Sequence, residues 1–319
     1  MQVAVMILNY NGGRWLPPLY EALRQQTDRT LRVYLVDNGS SDDSVPLTRT
    51  GYPEVTVLRM PGNLGYSMAY NAAMPHAFAE GCDWVIWANN DIRLEPDCIA
   101  ELIRVASEPG APVILGPAFM AWDSDEPNAH MQARHPHAVG PMQRRQPTPI
   151  EVEWVEGSLL MVSRSCVEDV GPLDPCFFFY WEEADFCRRA RYRGWKVALV
   201  PSAIARHYTG GSTEAHRDDS FQRLRVRNKY IYTFTDPFHG WARNCVGVLH
   251  LFLARIKAGL HRSDIQLWTE FQVFAGTLLE WRVIRRKLLR DRAGDRPPSF
   301  QRVPIPVNVE VIKAARVGA

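Results

Sequence analysis

The sequence lacks the features that mark several large classes of protein. Its formal net charge is only +2 over 319 residues, so no strong positive field indicates general nucleic-acid binding. No apolar run approaches the roughly 20 residues that span a bilayer. The first strand-like segment has no basic stretch before it and no cleavage-site pattern after it, so we expect no signal peptide. With 46% hydrophobic and 23% charged residues, the composition is that of an ordinary globular protein.

Two further absences narrow the chemistry. The six cysteines form no CxxC pair and lie in apolar or helical segments, so we expect reduced thiols in a cytoplasmic protein rather than a disulfide framework. Neither GxGxxG nor GxxxxGK followed by Ser or Thr occurs in the chain. This absence excludes the dinucleotide-binding fingerprint and the P-loop of NTPases.

The first third of the chain alternates short apolar runs with segments of helical periodicity. This alternation is typical of an α/β fold in which right-handed crossovers build a mostly parallel sheet flanked by helices. Strands are predicted at 3–8, 32–37, 55–59 and 84–88, and helices at 15–26, 64–80 and 95–107.

The later segments change in character. From about 120 to 149 the periodicity gives way to His, Pro, Gln and Asp, which predicts a long excursion or an acceptor-side loop. Beyond about 238 the chain is helical and basic, and it ends in a tail rich in Pro and Arg. Strands are predicted at 159–162, 196–200 and 203–207, with a helix at 182–193.

Short polar loops, most of them with glycine, follow the first four predicted strands, at 9–13, 37–40, 61–66 and 89–91. Because the carboxyl ends of parallel strands lie at one edge of a sheet, these loops are expected to line a nucleotide site. In the fourth loop an apolar run ends abruptly in Asn89-Asn90-Asp91. A carboxylate there would hold a divalent cation against a diphosphate, although Asn-Asn-Asp also suits a turn or a helix cap.

Seven segments carry the strongest signal through their order along the chain. They are Ile7-Leu8-Asn9-Tyr10-Asn11-Gly12, Val36-Asp37-Asn38-Gly39-Ser40-Ser41-Asp42, Asn63-Leu64-Gly65-Tyr66, Asn89-Asn90-Asp91, Glu156-Gly157-Ser158, Tyr180-Trp181-Glu182-Glu183-Ala184-Asp185, and Pro201-Ser202-Ala203 through His207. This ordered set resembles the family 2 glycosyltransferases of the GT-A fold, and within them the bacterial rhamnosyltransferase-like group that builds surface polysaccharides. The resemblance covers roughly residues 3–235.

The resemblance implies a GT-A catalytic domain at 1–237. Its nucleotide-binding half would cover about 1–118, and its acceptor-side half about 119–237. The remaining chain would form a basic amphipathic helical extension at 238–292 and a tail at 293–319.

The implied reaction is an inverting transfer from a dTDP- or UDP-sugar, with dTDP-L-rhamnose as the leading donor and UDP-galactofuranose as the runner-up. The acceptor would be a glycan, either growing by itself or linked to a polyprenyl diphosphate. A catalytically inactive nucleotide-sugar-binding module is the alternative from another class of protein. It is suggested by Asn89-Asn90-Asp91, which keeps only one carboxylate of the family's DxD motif.

For the donor nucleotide, the resemblance implies contacts from the loops after the first four strands. Asn9 and Asn11 would flank the nucleotide, and Asp37 would accept a hydrogen bond from the N3–H of uracil or thymine. Asp37 also suits an Asx turn before Gly39. The full predicted set is Asn9, Asn11, Asp37, Asn38, Asn63, Gly65, Asn89 and Asn90.

Asp91 stands at the last position of the DxD motif, which implies a ligand of Mn²⁺ or Mg²⁺. His207 matches a family histidine that helps to hold the metal or the diphosphate, and a neutral imidazole suits Mn²⁺ somewhat better than Mg²⁺. A purely structural role is the alternative for His207, which follows an alternating strand.

The acidic cluster at 182–185 matches the family pattern Glu-Asp-x-Asp, whose first Asp is the usual base. Glu183 stands at that position and is the predicted catalytic base, one methylene longer than the family's aspartate. Glu182 and Asp185 are the alternatives, although Asp185 also suits an ion pair with Arg189 one helical turn later, and we assign it that role. The predicted acceptor contacts are Gly157, Trp181 and Glu182.

Basic residues near the C-terminus allow two interpretations. Arg225 and Arg227 lie where such enzymes often place basic residues, which predicts contact with the diphosphate or a lipid diphosphate; a solvated charged face is the alternative. The helical extension carries apolar stripes beside clustered Lys and Arg, with His261 and Arg262 among the basic positions. This pattern is typical of helices in a membrane interface and predicts peripheral contact with the inner face of the cytoplasmic membrane. Packing on the catalytic domain, or a homodimer through these helices, is the alternative.

Overall fold

The computed structural model describes residues 1–28, 30–208, 219–260, 267–293 and 309–313. The strands are β1 (Val3–Asn9), β2 (Leu31–Asp37), β3 (Thr56–Arg59), β4 (Trp84–Asn89), β5 (Ile92–Leu94), β6 (Ile114–Met120), β7 (Ile150–Glu151), β8 (Leu159–Ser163), β9 (Val197–His207) and β10 (Glu310–Ile312). The helices are α1 (Leu16–Arg24), α2 (Ser44–Gly51), α3 (Gly65–Ala79), α4 (Cys98–Ala106), α5 (Ala129–Arg134), α6 (Val139–Gln143), α7 (Arg164–Val170), α8 (Glu182–Tyr192), α9 (Asp219–Phe234), α10 (Trp241–Gly259), α11 (Leu267–Leu279) and α12 (Trp281–Ala293).

Four neighbouring strands, in the order β3, β2, β1 and β4, run parallel, as expected for the first third of the chain. β1 is buried along nearly its whole length, and its sequence is accordingly apolar on both faces. The register places Asn9 opposite Asp37 and Leu8 opposite Asn89. The polar loops that follow these strands therefore start at one edge of the sheet.

The other half of the sheet is mixed rather than parallel. β8 runs antiparallel to both β4 and β6, β6 runs parallel to β9, and β5 and β7 run antiparallel to β9. The expectation of a mostly parallel sheet is therefore correct only for the first four strands. β8 follows the long excursion at 120–149, so no crossover helix of a βαβ unit constrains its direction.

The two strands expected at 196–200 and 203–207 form the single strand β9. Its pairing with β6 shifts register after Val200 and resumes at Ile204. Pro201 lies in this bulge, where a residue without a backbone N–H group is tolerated. The strand continues to His207, which lies opposite Ile92 of β5 and so close to the end of β4.

The excursion expected at 120–149 is more ordered than its composition suggests, since it contains α5 and α6. Asn128 caps α5 by accepting a hydrogen bond from the Met131 N–H group at 2.8 Å. Met131 and Met142 are buried. These short helices are thus attached to the domain by two methionine side chains.

Helices α9 to α12 pack around a second apolar core that includes Phe177, Tyr230, Phe252 and Ile284. Phe177 precedes α8, so these helices are attached to the half of the domain that follows residue 119. Within the described ranges, no helix is both long enough and apolar enough to cross a membrane. Part of the predicted tail forms β10, which pairs antiparallel with β3. His261, Arg262 and the ranges 294–308 and 314–319 lie outside the described residues.

Candidate active site

The amide side chains of the first and fourth loops bind each other. Asn90 Nδ2 donates to Asn9 Oδ1 at 2.7 Å, and Asn9 Nδ2 donates to Ser40 Oγ at 3.1 Å. Gly12 lies against this pair, since a Cβ atom there would approach Asn90 Nδ2 to 2.0 Å. Asn9 and Asn90 are both buried. These two predicted nucleotide contacts therefore tie the ends of β1 and β4 together.

The second and third loops are joined in the same way. Asn38 Oδ1 accepts from the Leu64 N–H group at 2.9 Å, and Asn38 Nδ2 donates to Asn63 Oδ1 at 3.0 Å. Asn11 has a left-handed φ of 50° and accepts from the Ser41 N–H group at 2.8 Å. The predicted nucleotide residues in these loops thus shape the loop backbones.

Gly65 brings the third loop against the segment that precedes α8. Its φ is +73°, and a Cβ atom at this position would lie only 2.3 Å from the Phe178 carbonyl oxygen. The neighbouring Tyr66 N–H group donates to that same oxygen at 2.8 Å. Only glycine permits this approach, which links the nucleotide side of the domain to the acidic cluster.

Asp37, at the end of β2, is a buried carboxylate with an exposure of 0%. Among the described residues, neither of its carboxylate oxygens has a hydrogen-bond partner, although Arg59 Nε lies 3.7 Å away. Burial raises the pKa of Asp37 more than the nearby polar groups of Ser40 and Asn9, and then the charge of Arg59, lower it. A buried acceptor without a donor is unfavourable, so this position suits a ligand that supplies an N–H group.

Asp91 and His207 lie side by side at the ends of β4 and β9. His207 Nε2 is 3.2 Å from Asp91 Oδ1, and His207 Nδ1 is 3.1 Å from Ser158 Oγ. Asn89 Nδ2 lies 3.5 Å from His207 Nε2. Burial by itself lowers the pKa of His207, but Asp91 and Glu156 outweigh this effect and raise it above the ordinary value. The two residues predicted from separate motifs are therefore neighbours.

The donor atoms of Asp91 and His207 suit a divalent cation. A carboxylate oxygen and an imidazole nitrogen are ligands that Mn²⁺ accepts, and the oxygen is what Mg²⁺ prefers. In the part of the chain that the structure describes, no three His, Cys, Asp or Glu side chains could hold a metal ion together. A cation at this position would need further oxygens from a diphosphate, which is a common way for Mg²⁺ to bind.

Asp185 is the most deeply buried carboxylate of the acidic cluster at the start of α8. It forms ion pairs with Arg189 Nε at 2.8 Å and Lys287 Nζ at 2.9 Å. Burial alone would raise the pKa of Asp185, but Lys287, Arg189 and Arg188 outweigh it and lower the pKa to about 2. The expected pair with Arg189 is confirmed. An ion-paired carboxylate of low pKa is a poor proton acceptor, which argues against Asp185 as the alternative base.

Glu182 and Glu183 differ in their exposure. Glu182 is buried, and its Oε2 has no hydrogen-bond partner among the residues described. Burial, and then the charge of Glu183, raise the pKa of Glu182 well above its usual value, which favours a neutral acid. Glu183 is half-buried, and burial raises its pKa while the backbone amides of Ala184 and Gly157 act in the opposite direction. Glu183 is therefore the more exposed carboxyl group of this pair, and it suits a base that an acceptor can reach.

Glu156 lies between the two groups of predicted site residues, and sequence reasoning did not single it out. Its exposure is 9%, and His130 Nε2 lies 3.8 Å from its Oε1. Burial raises the pKa of Glu156 to about 7, with His207 lowering the value and Glu183 raising it. Ser158 Oγ lies 3.1 Å from His207 Nδ1, and a Cβ atom at Gly157 would lie 3.2 Å from Glu183 Cβ, so the segment that follows Glu156 joins the Asp91–His207 pair and Glu183 into one site.

Tyr66 and Arg134 are two further neighbours of this site that were not predicted. Tyr66 Oη donates to the Gly157 carbonyl oxygen at 2.7 Å and so fixes the loop beneath Glu183. Arg134 of α5 lowers the pKa of both Glu156 and Glu183 by its charge. Tyr66 and Glu156 belong to motifs that the sequence displays, whereas nothing in the irregular pattern of 120–149 indicated that α5 reaches the site.

The remaining predicted residues occupy different environments. Trp181 is half-buried and directly precedes α8. Arg225 is exposed, with its guanidinium carbon 6.0 Å from the centre of the Tyr180 ring. Arg227 Nε instead donates to Glu280 Oε1 at 2.8 Å. Arg225 therefore lies beside the acidic cluster, while Arg227 is paired with Glu280 of the helical extension.

The fold and the site together are those of a GT-A glycosyltransferase, and the chain belongs to glycosyltransferase family 2. Residues 4–171 match the family model described as Glycosyl transferase family 2. Over 266 residues the chain is 31% identical to the N-acetylglucosaminyl-diphospho-decaprenol L-rhamnosyltransferase of Mycobacterium tuberculosis, a match that covers 75% of this chain and 86% of the relative. The family expected from the ordered motifs is confirmed.

Solved structures support the fold class. TarS 1-349 of S. aureus in complex with UDP-GlcNAc matches with a TM-score of 0.60 at 14% identity, covering 92% of this chain and 88% of that one. The mannosyltransferase PcManGT of Pyrobaculum calidifontis, in complex with GDP-Man and Mn²⁺, matches with a TM-score of 0.57 at 14% identity, covering 92% and 86%. At such low identity these similarities show the fold alone, and the predicted GT-A fold is confirmed.

Proposed function

We propose that this glycosyltransferase transfers a sugar, with inversion at the anomeric carbon, from a dTDP- or UDP-sugar to a glycan linked to a polyprenyl diphosphate. The proposed donor is dTDP-L-rhamnose, with UDP-galactofuranose as the alternative. The mycobacterial relative is named for L-rhamnose transfer and for a diphospho-decaprenol acceptor. The observation that carries the proposal is a single site in which Asp91 and His207 form one side and Glu183 the other, joined through Gly157 and Ser158.

On the donor side, Asp37 would bind the base. Its buried carboxylate lacks a hydrogen-bond donor among the described residues, and the N3–H group of uracil or thymine would supply one. The remaining predicted nucleotide residues would act mainly through the loop backbones that they hold together. Their amide side chains already bind one another, as Asn9 does with Asn90.

Asp91 and His207 would hold Mn²⁺ or Mg²⁺ together with the diphosphate of the donor. When bound, such a cation neutralises charge that develops on the leaving diphosphate. Asn89 lies near the His207 ring and helps to fix its orientation. Arg225 would place an additional positive charge on the side of the site where a diphosphate-linked acceptor enters. This arrangement matches the chemistry of a nucleotide-diphosphate leaving group.

On the acceptor side, Glu183 would act as the general base. The acceptor oxygen attacks the anomeric carbon, its proton passes to the Glu183 carboxylate, and the bond to the diphosphate breaks with its electron pair on the diphosphate oxygen. Glu182, kept neutral by burial and by its neighbour, would donate a hydrogen bond to the acceptor, beside Gly157 and Trp181. An inactive nucleotide-sugar-binding module would have no need for a half-buried carboxylate of raised pKa, which argues against that alternative.

Donor specificity and stereochemistry test this function directly. The full-length protein is incubated with a polyprenyl-diphospho-N-acetylglucosamine acceptor and with dTDP-L-rhamnose, UDP-galactofuranose or UDP-N-acetylglucosamine in parallel. We expect product by mass spectrometry with dTDP-L-rhamnose, and an inverted anomeric centre by NMR. If only UDP-galactofuranose gave product, it would replace dTDP-L-rhamnose as the assigned donor. Donor binding without transfer would favour the inactive module.

We further propose that the helical extension contacts an anionic membrane surface, where a lipid-linked acceptor would lie. One side of its helices packs inward, through Phe252 and Ile284. The other side exposes large apolar residues, among them Leu249 and Leu253 at 49% and 53% and Trp268 at 72%. Exposed arginines of α12 accompany them: Arg282, Arg285 and Arg286. Exposed apolar area beside positive charge is typical of interfacial helices that bind anionic lipid.

Co-sedimentation with vesicles tests this contact. Leu249→Ser/Leu253→Ser should reduce binding of the full-length protein to anionic vesicles, whereas Val311→Ser, at a similarly exposed apolar residue on β10, should not. Neutral vesicles should bind less protein, because the arginines would then lack partners. Absence of binding together with a dimer in sedimentation velocity would instead assign the apolar surface to a second copy of the chain.

A further inference from the structure

The segment before α8 has an uncommon backbone. Tyr180 and Trp181 are consecutive non-glycine residues with left-handed φ angles of 71° and 77°. This conformation is unfavourable for L-residues and persists where surrounding contacts hold it. Trp181 directly precedes Glu182, the first residue of α8. The direction in which Glu183 points therefore depends on whatever holds these two residues.

One set of contacts comes from α3, on the nucleotide side. Ser67 Oγ donates to the Phe177 carbonyl oxygen at 2.7 Å, and the Tyr66 N–H group donates to the Phe178 carbonyl oxygen at 2.8 Å. These bonds fix the beginning of the segment, ahead of the left-handed residues. They leave the following two carbonyl groups to other partners.

Those two carbonyl groups are bound by Asn228 of α9. Its Nδ2 donates to the Phe179 carbonyl oxygen at 2.9 Å and to the Tyr180 carbonyl oxygen at 3.0 Å. Asn228 is fully buried, with an exposure of 0%. A single amide group thus uses both of its N–H donors on the backbone that turns into α8.

The orientation of that amide is itself fixed by a chain of contacts that ends in the helical extension. Asn228 Oδ1 accepts from Arg227 Nη1 at 2.8 Å. Arg227 in turn binds Glu280, which lies between α11 and α12. Because Oδ1 is engaged, the Nδ2 group must face the two carbonyls, and a chain of contacts runs from Glu280 to the start of α8.

We propose that Asn228 is a positioning residue for the reaction, because it holds the left-handed Tyr180–Trp181 turn that directs Glu183 into the site. The inference rests on the proposed role of Glu183 as the base. Asn228 does not touch the reacting atoms. Through Arg227 and Glu280 it connects the helical extension to the catalytic apparatus, independently of any membrane contact.

The chain offers a matched control in Asn244 of α10. Asn244 is also buried, at 2% exposure, and its Nδ2 donates to the carbonyl oxygens of Phe234 at 2.8 Å and Asp236 at 2.9 Å. Asn228→Ala and Asn244→Ala therefore remove the same kind of group, with two carbonyl contacts each. Only the first variant disturbs the segment that leads into α8.

We expect both variants to lower the melting temperature to a similar extent. Asn228→Ala should in addition lower kcat roughly 10²-fold, in the range for a misplaced catalytic group, with the donor KM nearly unchanged. Asn244→Ala should keep the kcat of the unmodified protein. If Asn228→Ala does not fold, Asn228→Ser serves instead, because its hydroxyl group is neutral and leaves a single small hydrogen-bond donor where the amide has two.

Two results would overturn the inference: an unchanged kcat in the Asn228 variant, or an equal loss of kcat in Asn244→Ala. Glu183→Gln is measured in the same assay to separate this inference from the proposed function. An inactive Glu183→Gln beside a fully active Asn228 variant rejects the positioning role alone. An active Glu183→Gln rejects the assignment of the base itself.

Discussion

The proposed donor edge, formed by the loops after β1 to β4, and the proposed catalytic helix α8 are held by different kinds of contact. At the donor edge, neutral amides bind one another across the loops, as in the 2.7 Å contact between Asn90 and Asn9. α8 is instead held by buried ion pairs, and Lys287 Nζ of α12 lies 2.9 Å from Asp185 Oδ1. The donor edge is therefore built within the first 100 residues, whereas α8 depends on helices near the C-terminus.

This difference has consequences for how each region tolerates change. Replacing one partner of a buried ion pair leaves an uncompensated charge, so contacts of that kind are strongly destabilising to break. A neutral hydrogen bond in a loop contributes less, about 1 kcal/mol net. The catalytic helix should thus respond to distant substitutions in the helical extension, and the donor edge mainly to substitutions in its own loops.

The largest expected effect is on stability, from Lys287→Met. Lys287 is buried between Asp174, Asp185 and Asp291 at 2.9 to 3.0 Å, and removal of its charge should lower the free energy of unfolding by about 3 kcal/mol. Urea denaturation measures this change. Arg24→Met is the control, because the Arg24–Glu54 pair is exposed to solvent and should contribute far less to stability. If both variants lowered the free energy of unfolding equally, the difference described between the two regions would be wrong.

Next in size is the loss of turnover in Glu183→Gln, which should reach roughly 10²-fold or more, or about 2.7 kcal/mol in the barrier. Donor affinity should be nearly intact, because Glu183 lies on the acceptor side. Steady-state kinetics and donor titration measure the two quantities separately. In Glu182→Gln, which keeps a neutral hydrogen-bond donor at a buried position, turnover should fall less. Near-normal turnover of Glu183→Gln would move the base to Glu182.

At the donor edge, Asp91→Ala should have the opposite effect: a loss of donor affinity rather than of turnover. This variant should lose the divalent-dependent part of donor affinity, and His207→Ala should weaken it roughly tenfold, since both residues would hold the cation or its diphosphate. Calorimetric titration of the donor with and without Mn²⁺ gives these affinities. Should EDTA leave the activity of the unmodified protein unchanged, the metal prediction is wrong, and basic residues such as Arg225 neutralise the diphosphate.

The last expected effect depends on pH and is located where the two regions meet, at Glu156. The carboxyl group of Glu156 has a pKa of about 7 in the folded protein and an ordinary value of 4.5, so the folded state keeps a proton that the unfolded chain has lost. The contribution to stability is therefore present below pH 4.5 and is lost as the pH rises through 7. Glu156→Gln should therefore raise stability at pH 8 and leave it unchanged at pH 4. Thermal unfolding at both pH values measures this, and an equal shift at both would contradict it.

Much of the donor edge was predictable because its signals are local. An apolar run that ends in Asn-Asn-Asp indicates a buried strand that reaches a loop, whatever the rest of the chain does. The pair between Asp185 and Arg189 is equally local, since residues four apart lie on one face of a helix. The direction of β8 and the place of α5 had no such signal, because no regular pattern connects them to their neighbours.

The sequence by itself determined the family, the four parallel strands and the order of the polar loops, because apolar periodicity and short motifs act over a few residues. Only the tertiary structure decided which side chains meet. It brings Asn228 to the carbonyl of Tyr180 and Lys287 to Asp185, although 48 and 102 residues separate the partners. In the sequence Lys287 is one of many basic residues in amphipathic helices, and only the packing of α12 onto α8 makes it the buried partner of Asp185.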